Sequence, residues 1–157
     1  MQVEVDQSGR VEHTKHQTVV AFSDGGNCSF AVKIKAQDKR FLVRFFRQKH
    51  LQPEKFYIEI FCALLALLLS RSPHKVLIGT LVIDSEYLGK NRLIERTVYL
   101  YCDRLRVKAP ESISFGFIGK KSPAHDVAIR TFRGNDKPNV ELTAEYVKRQ
   151  IKKIGYL

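Results

Sequence analysis

The stretch from Lys75 to Tyr87, KVLIGTLVIDSEY, constrains the fold of this chain more than any other. Val76, Leu77, Ile78, Leu81, Val82 and Ile83 form an apolar run interrupted only by Gly79 and Thr80. A strand covered on both faces needs such a run, as in parallel sheets flanked by helices. The pattern predicts a buried strand over Lys75–Ile83 that stops at Asp84, with Glu86 two residues further on. Ligand sites in open α/β sheets lie outside the carboxyl ends of the strands, so a carboxylate there is well placed for metal chemistry. Asp is also favoured in turns and at helix starts, and capping is the alternative reading of Asp84.

A chain of 157 residues suits one domain with a real hydrophobic core. Lys and Arg outnumber Asp and Glu by 27 to 16, a net charge of +11. That excess favours a polyanionic partner, RNA or DNA ahead of an anionic membrane surface. Ile60–Leu69 is apolar but too short to span a bilayer and reads as a core helix. Cys28, Cys62 and Cys102 have no metal-ligand spacing. Their odd number, without a signal peptide, points to a reducing, cytoplasmic setting.

The N-terminus reads as a hairpin, Gln2–Asp6 and Arg10–Thr14. Three strands with period-two patterning follow: Thr18–Ser23, Ser29–Lys35 and Arg40–Arg47. Pro53 opens a helix to about Ser70, apolar on nearly every side and therefore central. After the Lys75–Ile83 strand come a helix from Arg92 to about Arg106 and a strand at Ser112–Ile118. Ser122-Pro123 is a good helix start, Ser as cap and Pro in the first turn, for a helix to Phe132. Val140, Ala144, Val147, Ile151 and Ile154 make the stripe of a last helix over Val140–Ile154. The sum is an α/β mixed sheet: three antiparallel strands, then alternating helix and strand, with an extra N-terminal hairpin and C-terminal helix.

Three short segments carry a resemblance. Glu59-Ile60-Phe61-Cys62-Ala63-Leu64-Leu65-Ala66-Leu67 puts one Glu before an apolar, Ala-rich helix, and Ile83-Asp84-Ser85-Glu86-Tyr87 closes a buried strand. Phe22-Ser23-Asp24-Gly25-Gly26 ends an earlier one. In these segments and in element order over residues 18 to 132, the chain resembles the ribonuclease H-like superfamily of ribonucleases H, Holliday-junction resolvases and integrases. The resemblance implies carboxylates on the first strand, the first helix, the fourth strand and a late helix, binding two divalent cations, Mg2+ or Mn2+. Carried onto this sequence, those are Asp24 or Asp6, then Glu59, Asp84 and Asp126, with Glu86 able to replace one of them. Strand counting favours Asp24; Asp6 sits in Asp-Gln-Ser-Gly, a pattern some members also show.

Physical chemistry bears on the same residues. Glu59 is the only charge between Phe56 and Leu69, and a buried carboxylate needs a cation, a hydrogen-bonded partner or the helix edge. Asp126 is stabilising in a first turn without any function, and His125 beside it can transfer protons, contact phosphate or simply face solvent. Two ions about 4 Å apart activate water and stabilise the leaving oxygen of a phosphodiester. Lys33, Lys35, Arg40, Arg44, Lys120 and Lys121 are then candidates to track a phosphate backbone, against a solvated basic face. The resulting expectation is a metal-dependent nuclease, or a non-catalytic binding module of the same fold.

Overall fold

The structure, a computed structural model, describes residues 1–49, 52–74 and 78–153. Its elements run β1 (Gln2–Ser8), β2 (Thr18–Ser23), β3 (Ser29–Ile34), α1 (Ala36–Arg47), α2 (Pro53–Arg71), β4 (Thr80–Asp84), α3 (Asn91–Arg104), β5 (Ser112–Gly116), α4 (Pro123–Phe132), β6 (Val140–Leu142) and α5 (Ala144–Lys153). The strands form one six-stranded mixed sheet in the order β5-β4-β1-β2-β3-β6. β1, β2 and β3 are antiparallel neighbours, β4 lies parallel to β1, β5 parallel to β4, and β6 parallel to β3.

Side-chain alternation divides the sheet between two layers. Val3, Val5, Val20, Phe22, Val32, Leu81 and Ile83 enter the main core, which α2 fills with an unbroken buried run from Ile60 to Leu69. That helix has no polar face because it packs against α1, α3, α5 and the sheet at once. Truncating Leu64 or Leu65 to Ala should cost about 2–5 kcal/mol. On the other face Val19, Ala21 and Ala31 meet Ala128 of α4, small residues that let this single helix lie close. No helix among the described residues is long and apolar enough to cross a membrane.

The extra N-terminal hairpin does not form. β1 continues through Ser8 and pairs directly with β2, Gln7 opposite Val20 and Ser8 opposite Val19, so the strand holding Phe22 is the second. The turn begins at Gly9, whose φ is +71°; a Cβ there would collide with the Gln17 carbonyl and the Phe132 ring. Residues 10–16 are turns rather than a strand. Two of their carbonyls are satisfied from elsewhere: the buried Lys39 ammonium donates to Arg10 O and His13 O at 3.2 and 2.7 Å, and also to the Thr18 hydroxyl oxygen at 2.9 Å.

The expected strand over Arg40–Arg47 is helix α1. Phe41, Val43 and Phe45 alternate as a strand would, but the buried set is Lys39, Leu42, Val43 and Phe46, a helical stripe. Exposed Phe41 is the residue the alternating reading would have buried. The expected last helix divides in two. Val140 and Leu142 pair with Val32 and Ile34 as β6, and α5 starts at Ala144, whose N–H donates to Asp38 Oδ1 of α1 at 2.8 Å. β4 is shorter than predicted, Thr80–Asp84; residues 75–77 of the predicted strand lie outside the described residues.

Candidate metal centre

Val5 of β1 pairs with Ile83 of β4 in parallel register, so Asp6 and Asp84 follow side by side. Val5 and Ile83 face the main core, and alternation turns both carboxylates to the α4 side of the sheet. Asp6 is buried; its Oδ1 accepts the Gln7 N–H at 2.8 Å, and its Oδ2 lies 2.9 Å from His125 Nδ1 on α4. Asp84 Oδ1 accepts the Ile118 N–H at 2.9 Å, from the loop leaving β5. The chain after β4 is held by Ser85 N–H on Gly116 O at 2.8 Å, which brings Glu86 round to the same place. One carboxylate oxygen from each of Asp6, Asp84 and Glu86 lies within 4.8 Å of the other two.

The cluster crowds three carboxyl groups that one nearby cation, Arg10, offsets only in part. Burial, then the neighbouring Asp6 and Asp84, push Glu86 up from 4.5 to about 8, against the opposing pull of Arg10. Burial also raises Asp6, against the hydrogen bond from His125. Arg10 Nε is 3.1 Å from Glu86 Oε2; the same guanidinium reaches Glu12 at 2.9 Å, donates to Glu86 O at 3.1 Å and lies over the Tyr87 ring. Gln7 Nε2 donates to Glu86 Oε2 and to the Tyr87 hydroxyl at 3.3 and 3.0 Å. Gln7 is only 7% exposed, and its Oε1 is buried with no donor among the described residues.

The donor set tests which cation fits. Three carboxylates are hard oxygen ligands without a thiolate, the set preferred by Mg2+, Mn2+ or Ca2+. A cation would relieve the repulsion that helps to raise Glu86.

Asp6, not Asp24, is therefore the first-strand carboxylate beside Asp84. Asp24 lies past Ser23, which pairs with Glu4, toward the amino end of β1. It closes the β2–β3 turn, its Oδ1 accepting from Gly26 and Cys28 N–H at 2.8 and 3.2 Å. Glu59 stands outside the three-carboxylate group and accepts a 2.6 Å hydrogen bond from Tyr101 of α3. Asp126 is exposed, its charge felt by Arg130 one turn along α4, while His125 enters the site instead. Ser122 caps that helix, its Oγ accepting from Ala124 N–H.

The basic candidates scatter. Lys120 and Lys121 are exposed on the loop that joins Ile118, on Asp84, to His125, on Asp6. Lys33 lies on β3 opposite Glu141, and Lys35 forms an ion pair with Glu141 at 3.4 Å, both toward the far edge of the sheet. Arg40 and Arg44 lie on α1. Gln7 and Arg10 are not legible as site residues in the sequence: Gln7 falls between the two expected hairpin strands and Arg10 within the second. No protein-family model matches the chain, and no curated protein or solved structure matches it significantly.

Proposed function

We propose that this chain is a metal-dependent nuclease or related phosphodiester-processing enzyme of the ribonuclease H-like kind, acting on RNA or DNA. One observation carries the reading: Asp6, Asp84 and Glu86 converge at the carboxyl end of two central strands. The ribonuclease H-like assignment is supported by the carboxylates on the first and fourth strands and by three antiparallel strands preceding the alternating elements.

Asp6, Asp84 and Glu86 would hold Mg2+ or Mn2+. When bound, such an ion supplies a Lewis acid for the phosphoryl oxygen and lowers the pKa of bound water. His125 is oriented by Asp6 through Nδ1. With Nδ1–H donated to that carboxylate, its other ring nitrogen accepts a proton from the attacking water. Lys120 and Lys121 meet the non-bridging phosphate oxygens, and Arg10 keeps Glu86 in place through the turn it braces.

The test is cleavage of end-labelled RNA and DNA in Mg2+, Mn2+ or EDTA, beside calorimetric titration of each metal. Cleavage with metal, lost in EDTA and in Asp84→Asn, supports the reading; no metal binding at millimolar concentration overturns it. One observation favours a second reading, a non-catalytic binding module: the Arg10 guanidinium already neutralises part of the cluster. On that reading nucleic acid binds equally in EDTA and in metal, and nothing is cleaved.

A further inference from the structure

We propose that Arg40, Arg44 and Arg47 form a separate site for the phosphate backbone of a nucleic-acid strand, on α1 and away from the carboxylates. These residues stand at i, i+4 and i+7, so they project as one stripe, stepping about 6 and then about 4.5 Å along the helix axis. All three are exposed, and with Thr14 and Val43 they line a cleft of about 240 Å³.

What holds each guanidinium is informative. Arg40 Nη1 donates to Thr14 O at 3.0 Å; Arg44 lies 5.9 Å from the centre of the Phe41 ring, and Arg47 lies 5.6 Å from that of Phe56. A carbonyl and two ring faces fix the groups in position without neutralising them. Among the described residues, no carboxylate oxygen comes within ion-pair distance of any of the three, whereas Arg10 has two carboxylate partners and Arg130 one. The helix dipole accounts for Arg44 and Arg47 in the last turn but not for Arg40 in the amino-terminal half. Like charges one turn apart destabilise a helix by a few tenths of a kcal/mol, so stability does not explain the stripe. Planar guanidinium groups with free N–H edges suit phosphate oxygens, two donors to each.

The stripe is joined to the carboxylate cluster by one connection. Between β1 and β2, Arg10 reaches Glu86, the Arg10 and His13 carbonyls accept from Lys39, and Thr14 O accepts from Arg40. A single bound strand spanning both sites rests on the function proposed above; binding of the backbone by the arginines does not. Three guanidinium groups spread along about 10 Å of one helix suit successive phosphates of a strand rather than a single phosphate.

The experiment measures binding of fluorescein-labelled 20-nucleotide single strands and duplexes, RNA and DNA, in EDTA across a salt series. Arg40→Ala/Arg44→Ala/Arg47→Ala should weaken binding at least about tenfold at low salt and flatten the salt dependence by about one unit of slope per arginine. Because all three side chains are exposed, the thermal midpoint should stay within a few degrees, and Arg130→Ala, at a guanidinium paired with Asp136, should bind as wild type. Unchanged affinity and slope in the triple variant, or no binding by wild type at 50 mM salt, would overturn the proposal. Asp84→Asn separates this from the metal reading: it should keep binding in EDTA while losing metal-dependent cleavage.

Discussion

Asp6 and Asp84 are neighbours across parallel strands, one residue beyond the Val5–Ile83 pair, and both side chains lie on the α4 face. Two carboxylates in that relationship repel each other, and the fold adds Glu86 to them rather than a counter-charge of equal size. The first prediction follows from that repulsion. Millimolar Mn2+ should raise the wild-type midpoint by about 5–10 °C, the effect of a ligand at about 100 times its Kd on a chain of this size. Asp84→Asn keeps an acceptor for the Ile118 N–H, so it should melt higher than wild type in EDTA and no longer respond to Mn2+. A cap behaves differently, because Asn caps nearly as well as Asp and the midpoint would hardly move.

Glu86 predicts a pH dependence of the metal-free protein. Its folded-state value is raised from 4.5 to about 8, so the folded state holds the proton more tightly than the unfolded chain does. The associated stability is fully present below about pH 4.5 and is lost as pH rises through 8. Asp6 shifts in the same direction and adds to the slope. Glu86→Gln retains an acceptor for Gln7 while removing the charge, so in EDTA at pH 8.5 it should exceed wild type by on the order of 1–3 kcal/mol. The advantage should vanish near pH 4; thermal unfolding at both pH values checks it.

Lys39 predicts a purely structural effect with a local signature. Its ammonium satisfies Arg10 O, His13 O and Thr18 Oγ1. Burial lowers its pKa to about 8, with Glu12 opposing, which marks the cost of keeping a charge there. Lys39→Met preserves the length of the side chain but leaves those acceptors without a donor. The net loss should be about 2 kcal/mol, roughly 4–8 °C in midpoint. Amide exchange should accelerate over residues 10–17 and at Glu86, where Arg10 is anchored, and remain slow in α2.

The parts of this fold legible in the sequence are those where one pattern admits one structure. Pro53–Arg71 could only be a helix buried on all sides, and Ser122-Pro123 placed α4 at the right residue. The errors fall where one stretch satisfies two periods. Phe41, Val43 and Phe45 read as a strand, while Leu42, Val43 and Phe46 read as a helix; Lys39, buried by acceptors distant in sequence, gave no local sign of which would win. Val140–Leu142 was absorbed into the helical stripe because three residues of edge strand leave no period of their own. The same limit applies at the cluster. Asp6 and Asp24 both end apolar strands followed by turns, and only the register of β1 with β4 separates them. Of the three ways to satisfy Glu59, the hydrogen-bonded partner had no local sign, because Tyr101 lies 42 residues away in the chain.

The last prediction concerns His125. Asp6 Oδ2 at 2.9 Å fixes the ring through Nδ1, and the other nitrogen is left for proton transfer. His125→Ala removes that group but no carboxylate, so the Mn2+-induced rise in midpoint should persist, even though burying Asp6 without its imidazole partner lowers the metal-free midpoint. Cleavage should fall by about 10²–10⁴, the usual contribution of a positioned general base. His125→Gln, which can still bond to Asp6, separates orientation from proton transfer: it should recover the midpoint but not the rate. Added imidazole should restore part of the activity of His125→Ala, whose cavity at the helix start leaves room for it. If His125→Gln cleaves at the wild-type rate, the histidine only braces Asp6, and the proton is taken by another group.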